Sequence, residues 1–273
     1  MLSYLHRFHA GNFADIHKHL TLIAILQYLQ KKEKPFAVLD THAGDGYYDL
    51  RSKESKKLEE NKQGFKKLLA DFKKPALVKS LLSVVAKMNP DNAPRFYPGS
   101  PKIIESFLRK DDHAHLVELH PSSFLRLKEK QWGHNTHLHE RDAMEALKAI
   151  VPFKEKRGLI FMDPSYEVKT EYQTIAEKLI EAIPRFPQAY YALWYPILKG
   201  NPHLKLLQKL KAAEFEEWCV FEWVPDPEQT EGMMGSGMVL INPPFSVPEL
   251  LFKTFKELEA VFPGAAFRRF TPR

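Results

Sequence analysis

The stretch Gly158-Leu159-Ile160-Phe161-Met162-Asp163-Pro164-Ser165-Tyr166 is an unbroken apolar run that ends in a carboxylate, a rigid proline and, two places on, an aromatic ring. A short apolar run behind a basic turn is the pattern of a strand buried on both faces, as in a parallel sheet. In open α/β sheets the carboxyl ends of such strands are where ligands bind. An aspartate that accepts from an exocyclic amine, beside a ring that stacks on a base, suits chemistry on a nucleobase nitrogen. Asp-Pro and Pro-Ser are also ordinary turn dipeptides, so the tetrapeptide acquires meaning only from its surroundings.

Working outward, Ala37-Val38-Leu39-Asp40 reads as a first buried strand, running into Thr41-His42-Ala43-Gly44-Asp45-Gly46. Further strands are expected at His115–Glu118, Thr136–Glu140, Ala189–Trp194, Trp218–Val224 and Met238–Ile241. Helical patterns over Pro121–Lys130, Ala143–Ile150, Thr170–Ile183 and His203–Ala213 separate most of them. Alternation of this kind predicts an α/β fold with a doubly wound, mostly parallel sheet, closed by a terminal antiparallel hairpin. The interval between Gly46 and Leu116 is too long for one crossover. Ser52–Lys74 is crowded with lysine and glutamate and Ala76–Met88 is amphipathic, which predicts a small helical insertion over about residues 49–95. Its charge run is a solvated face or a surface for phosphates.

Composition bounds the function. The chain has 273 residues, 44% of them hydrophobic, and no apolar stretch long enough to span a bilayer. Its start lacks the apolar core of a signal peptide, and the single cysteine, Cys219, lies among strand residues, so a cytoplasmic protein with a reduced core thiol is expected. The net charge of +6 is compatible with a polyanionic partner. Twelve histidines include the pairs His113/His115, His137/His139 and His17/His19, but no HExxH or Cys-His spacing appears, so no metal is expected.

The strand ends carry a constellation. Glycines after the first strand, Gly44 among them, admit a nucleotide-like ligand close to the backbone. Glu118 ends the next strand, where an acid accepts hydrogen bonds from ribose hydroxyls. Asp142, with Ala143, either meets an adenine amine or caps the helix beginning there. With Asp163-Pro164-Ser165-Tyr166 on the fourth strand end, the order is that of S-adenosylmethionine-dependent amino-methyltransferases. Asn242-Pro243-Pro244-Phe245 is a second legal tetrapeptide, but it follows the seventh strand instead of the fourth.

Blocks spread along the chain carry a closer likeness: Met1-Leu2-Ser3-Tyr4, His6, Phe8–Asn12, Ala14-Asp15, Lys18-His19, Leu39–Gly44, Tyr97–Pro101, Glu118–Pro121, Ala192–Pro196 and Ser236–Met238. In these the sequence resembles the RlmJ-type ribosomal RNA methyltransferases. The resemblance implies a class I methyltransferase (Rossmann-like) fold with a helical insertion after the first strand, and N6 methylation of an adenine in large-subunit (23S) rRNA. It implies S-adenosyl-L-methionine contacts at His19, His42, Ser100, Glu118 and Asp142-Ala143. It implies catalysis at Asp163, with Tyr4, His6 and Lys18 near the target nucleotide. The family motif is Asp-Pro-Pro-Tyr, and Ser165 replaces its second proline.

These readings divide the chain into a methyltransferase domain (1–48 and 96–273) and the insertion (49–95), with residues 1–35 covering the cleft. Asp163 and the Pro164 carbonyl are expected to hold the amine and Tyr166 to stack on the extruded base. Arg7 and Lys18 are expected to hold phosphates. Large-subunit rRNA is the expected partner, with no membrane and no obligate protein partner. Methylation of adenine in DNA, or non-catalytic nucleic-acid binding linked to use of external DNA, are the competing functions.

Overall fold

Helix α1 (Phe13–Gln30) opens the fold at a reciprocal cap. The Asn12 side chain accepts from the Asp15 amide at 2.9 Å, and the Asp15 carboxylate reaches back to the Gly11 amide at 2.7 Å. Both satisfy amides that the first helical turn leaves without partners. In this computed structural model, which describes residues 5–70, 74–91, 93–168 and 170–271, fourteen of the eighteen α1 residues are buried. Helix α1 is therefore a core helix, because its apolar positions surround it on all sides, and its Asp15, Lys18 and His19 reach the cavities described below.

Strand β1 (Ala37–Asp40) is buried at every position. Its glycine turn enters a two-stranded antiparallel ribbon, β2 (Tyr47–Asp49) with β3 (Phe96–Pro98). Between the ribbon strands lie α2 (Lys53–Leu58), α3 (Phe65–Ala70) and α4 (Ala76–Met88). The crossover helix α5 (Ser100–Phe107) follows only then, so these helices stand between the glycine turn and the crossover. Leu77, Val78 and Leu81 of α4 join the main core, while Phe65 and Val85 pack with Ala10, Tyr48 and Tyr97 in a smaller one. The insertion also clamps the segment before α1: the Phe65 amide donates to Gly11 O at 2.8 Å, and a Cβ on Gly64 would lie 2.3 Å from that oxygen.

The remainder alternates: β4 (His113–Glu118), α6 (Pro121–Lys128), β5 (Thr136–Glu140), α7 (Ala143–Ile150), β6 (Gly158–Met162), α8 (Glu171–Ala182), β7 (Tyr190–Leu198), α9 (His203–Lys211), β8 (Trp218–Val224), β9 (Met233–Ile241), α10 (Val247–Leu258) and β10 (Ala266–Phe270). The eight-stranded sheet has the order β10-β8-β9-β7-β6-β1-β4-β5. Strands β5, β4, β1, β6 and β7 are parallel, and their register (Asp40 beside both Leu116 and Phe161) aligns their carboxyl ends along one edge. Strand β9 inserts antiparallel between β7 and β8, which forms the expected hairpin, and β10 adds an unforeseen antiparallel edge. Strand β9 starts earlier than its apolar run because Gly235 and Gly237 hide it. A Cβ on Gly237 would fall 2.1 Å from the Tyr195 ring, so this strand position admits only glycine.

Candidate active site

A cavity of about 280 Å³ opens at the carboxyl edge of β1, β4, β5 and β6. His19, His42, Gly44, Ser100, Glu118, Asp142, Ala143, Asp163 and Pro164 all line it. Glu118 is preset by two backbone amides, accepting from Gly44 N at 2.8 Å and His120 N at 2.6 Å. Burial raises its pKa while those amides pull it down. Gly44 has φ +59°, and a Cβ there would lie 2.4 Å from the Tyr48 hydroxyl, so the close turn requires glycine. Asp142 caps α7 by accepting from the Met144 and Glu145 amides (2.8 and 3.1 Å) while still lining the cavity. Burial holds His42 down to about 4 and His19 to about 3, and the Tyr97 hydroxyl meets His19 Nδ1 at 2.9 Å. Buried Asp40, behind the turn, is pushed up to about 7 by desolvation.

The opposite wall is ionic. Lys18 Nζ donates to Asp163 Oδ2 at 2.7 Å, lies 3.1 Å from Asp15 Oδ1, and stands 4.7 Å over the Trp194 ring. Burial opposes the charge on Lys18, yet the two carboxylates raise its pKa above the ordinary value. Asp15 is likewise desolvated, but His6, at 3.0 Å, and Lys18 hold it well below the usual carboxylate range. Removing one member of such a network leaves an uncompensated buried charge, at a cost of roughly 3–5 kcal/mol. Among the described residues Asp163 Oδ1 accepts no hydrogen bond, and Asp163 lines the cavity.

A second cavity of about 310 Å³ adjoins the first, with Lys18, Tyr166, Leu198 and Met233 in its walls. His6, Ser165 and Trp194 line both and form the partition. Tyr166 does not line the first cavity. Its ring packs 4.3 Å from that of Tyr172, and its hydroxyl donates to Trp194 O at 2.7 Å, so no open ring face lies beside Asp163. Arg7 is tied to the glycine turn, 3.1 Å from Asp45, and donates to Ser122. Tyr4 lies outside the described residues. Asp15 and Trp194 were assigned no role from sequence. The capping pattern Asn12-X-X-Asp15 was legible, but its tie to His6 and Lys18 was not, and Trp194 read as an ordinary strand aromatic. Among the described residues no three His, Cys, Asp or Glu side chains converge to hold a metal.

A mostly parallel sheet with an antiparallel strand inserted near one end, and a cavity across its carboxyl edge, is the class I methyltransferase fold; methyltransferases of this class generally use S-adenosylmethionine. Residues 33–261 match the model of the family described as ribosomal RNA large subunit methyltransferase D, RlmJ, and the chain belongs to that family. It is 38% identical over 252 residues to ribosomal RNA large subunit methyltransferase J of Escherichia coli, covering 91% of this chain and 90% of the relative. The protein of that name in Haemophilus influenzae is 38% identical over 250 residues, covering 90% and 89%. Among solved structures, protein LPL1258 from Legionella pneumophila superposes with TM-score 0.90 at 34% identity, over 96% of this chain and 98% of that one. A probable spermidine synthase from Corynebacterium glutamicum (12% identity, TM-score 0.52, 97% and 77% covered) shares the fold alone.

Proposed function

We infer that this chain methylates the N6 of an adenine in 23S rRNA, using S-adenosyl-L-methionine, in the cytoplasm. The observation that carries the reading is Asp163. It stands at the end of β6 beside the partition between two cavities, with one oxygen bound by Lys18 and the other unused. The first cavity fits the donor: the Gly44 turn admits close backbone approach, Glu118 offers a preset carboxylate to ribose hydroxyls, and Asp142 and Ala143 border an adenine. Seated there, S-adenosyl-L-methionine supplies an electrophilic methyl group.

The chain's own residues must make a poor nucleophile competent, because the adenine amine delocalises its lone pair into the ring. Asp163 Oδ1 and the Pro164 carbonyl accept the two amine hydrogens, which draws the nitrogen toward tetrahedral geometry. Lys18 holds the other carboxylate oxygen and so fixes its orientation. Alignment of two bound reactants supplies much of the rate gain, and Asp163 takes the proton released. A base paired in a duplex cannot reach this edge, so the acceptor is extruded into the second cavity, whose walls include Trp194 and Tyr166.

Incubation of the full chain with labelled S-adenosylmethionine and deproteinised rRNA or DNA tests the reading. Label recovered as N6-methyladenine from rRNA is expected. Label in DNA alone, or in neither polymer, overturns it.

A further inference from the structure

Ser165 stands where the Asp-Pro-Pro-Tyr motif has its second proline. It is half-buried and lines both cavities, in the partition it shares with His6 and Trp194. Its hydroxyl makes no hydrogen bond to any described residue. A proline at this position offers only carbon to a ligand, whereas serine offers a donor two residues beyond the carboxylate that grips the amine. On adenine the exocyclic amine lies between N1 on one side and N7, one carbon further round the ring, on the other, each with a lone pair in the ring plane. With the amine hydrogens on Asp163 and the Pro164 carbonyl, the next side chain of the same loop borders that ring edge. We propose that the Ser165 hydroxyl donates a hydrogen bond to one of these two ring nitrogens and fixes the in-plane rotation of the purine. The inference rests on the acceptor assignment made above. It makes Ser165 a specificity contact: the loop forgoes a proline's stiffness and gains a hold on the base.

The test compares the full-length wild type with Ser165→Ala and Ser165→Pro. The substrates are RNA fragments carrying adenine, 1-deazaadenine or 7-deazaadenine at the target, once mass mapping has located it. Because each protein is compared on the same base, the intrinsic reactivity of that base cancels. One neutral hydrogen bond predicts that Ser165→Ala loses roughly 3- to 10-fold in kcat/KM on adenine. It predicts the same loss on one deaza substrate and none on the other, which identifies the nitrogen. Ser165→Pro should fall with the alanine variant, and calorimetric binding of S-adenosylmethionine should be unchanged in both, which also reports that they fold. An equal loss on all three bases, no loss on adenine, or a proline variant as fast as wild type overturns the contact. Failure of the wild type to methylate adenine at all overturns the acceptor assignment itself, and the contact with it.

Discussion

Asp163-Pro164-Ser165-Tyr166 and Asn242-Pro243-Pro244-Phe245 are nearly the same tetrapeptide, and each follows a buried strand. They lie at opposite edges of one sheet. Strand β6 is parallel to β1 and delivers Asp163 to the cavity edge. Strand β9 runs antiparallel to β7, with Ile241 beside Tyr191, so Asn242 emerges where β7 begins and donates to Pro187 O and Ala189 O. There Asn242 ties loops together, and Phe245 is 95% exposed. Strand direction, more than motif chemistry, separates a candidate catalytic loop from a turn.

The strongest way to break this contrast is Asp163→Ala. Methyl transfer should fall by roughly 10²- to 10⁴-fold while S-adenosylmethionine still binds in calorimetry. A variant of normal rate would remove Asp163 from the chemistry.

Acid should expose the second asymmetry, because buried titratable groups gather around α1 and the β1 turn. His17, His19 and His42 are held by burial at about 3, 3 and 4, against 6.5 ordinarily. Below pH 6.5 the unfolded chain binds protons that the folded chain refuses, so these three withdraw stability as pH falls toward 4. Asp40 acts in the opposite sense: at about 7, against 3.8 ordinarily, it is protonated only in the fold over this range. Three groups against one leave a net loss on the order of several kcal/mol between pH 6.5 and 4. Urea unfolding at stepped pH reads it directly, and a flat profile would contradict the burial of these rings.

Glu118→Gln sharpens the donor side. One face of the amide would point N–H at the Gly44 or His120 amide, so S-adenosylmethionine should bind roughly 10-fold more weakly by calorimetry, from loss of a charge-assisted pair of hydrogen bonds. Smallest of all, Asn242→Ala should leave the transfer rate unchanged and cost about 1 kcal/mol in unfolding experiments, and Phe245→Ser should shift stability by no more than about 0.5 kcal/mol. Loss of transfer in either would give the second tetrapeptide a role.

Much of this was legible because it is local. The apolar runs Ala37–Leu39 and Gly158–Met162 are core strands, the amphipathic Ala76–Met88 is a helix at those bounds, and the acids fall at strand ends. The ribbon strands, at three residues each, carry too little pattern to read, and β10 (AFRRF) alternates too weakly. Lys18 and His19 were expected at the cleft, but that they would be buried with Asp15 and His17 in one core helix was not legible, since charged residues are ordinarily left to solvent. Folding buries them because Lys18 finds Asp163, 145 residues away, and Asp15 finds both Lys18 and His6. Apolar periodicity and side-chain chemistry are properties of a segment, and the chain announces them wherever it is read. The direction of β9, the ion pairs that make α1 buriable and the partition shared by His6, Ser165 and Trp194 are properties of pairs of segments, and they exist only once the sheet has assembled.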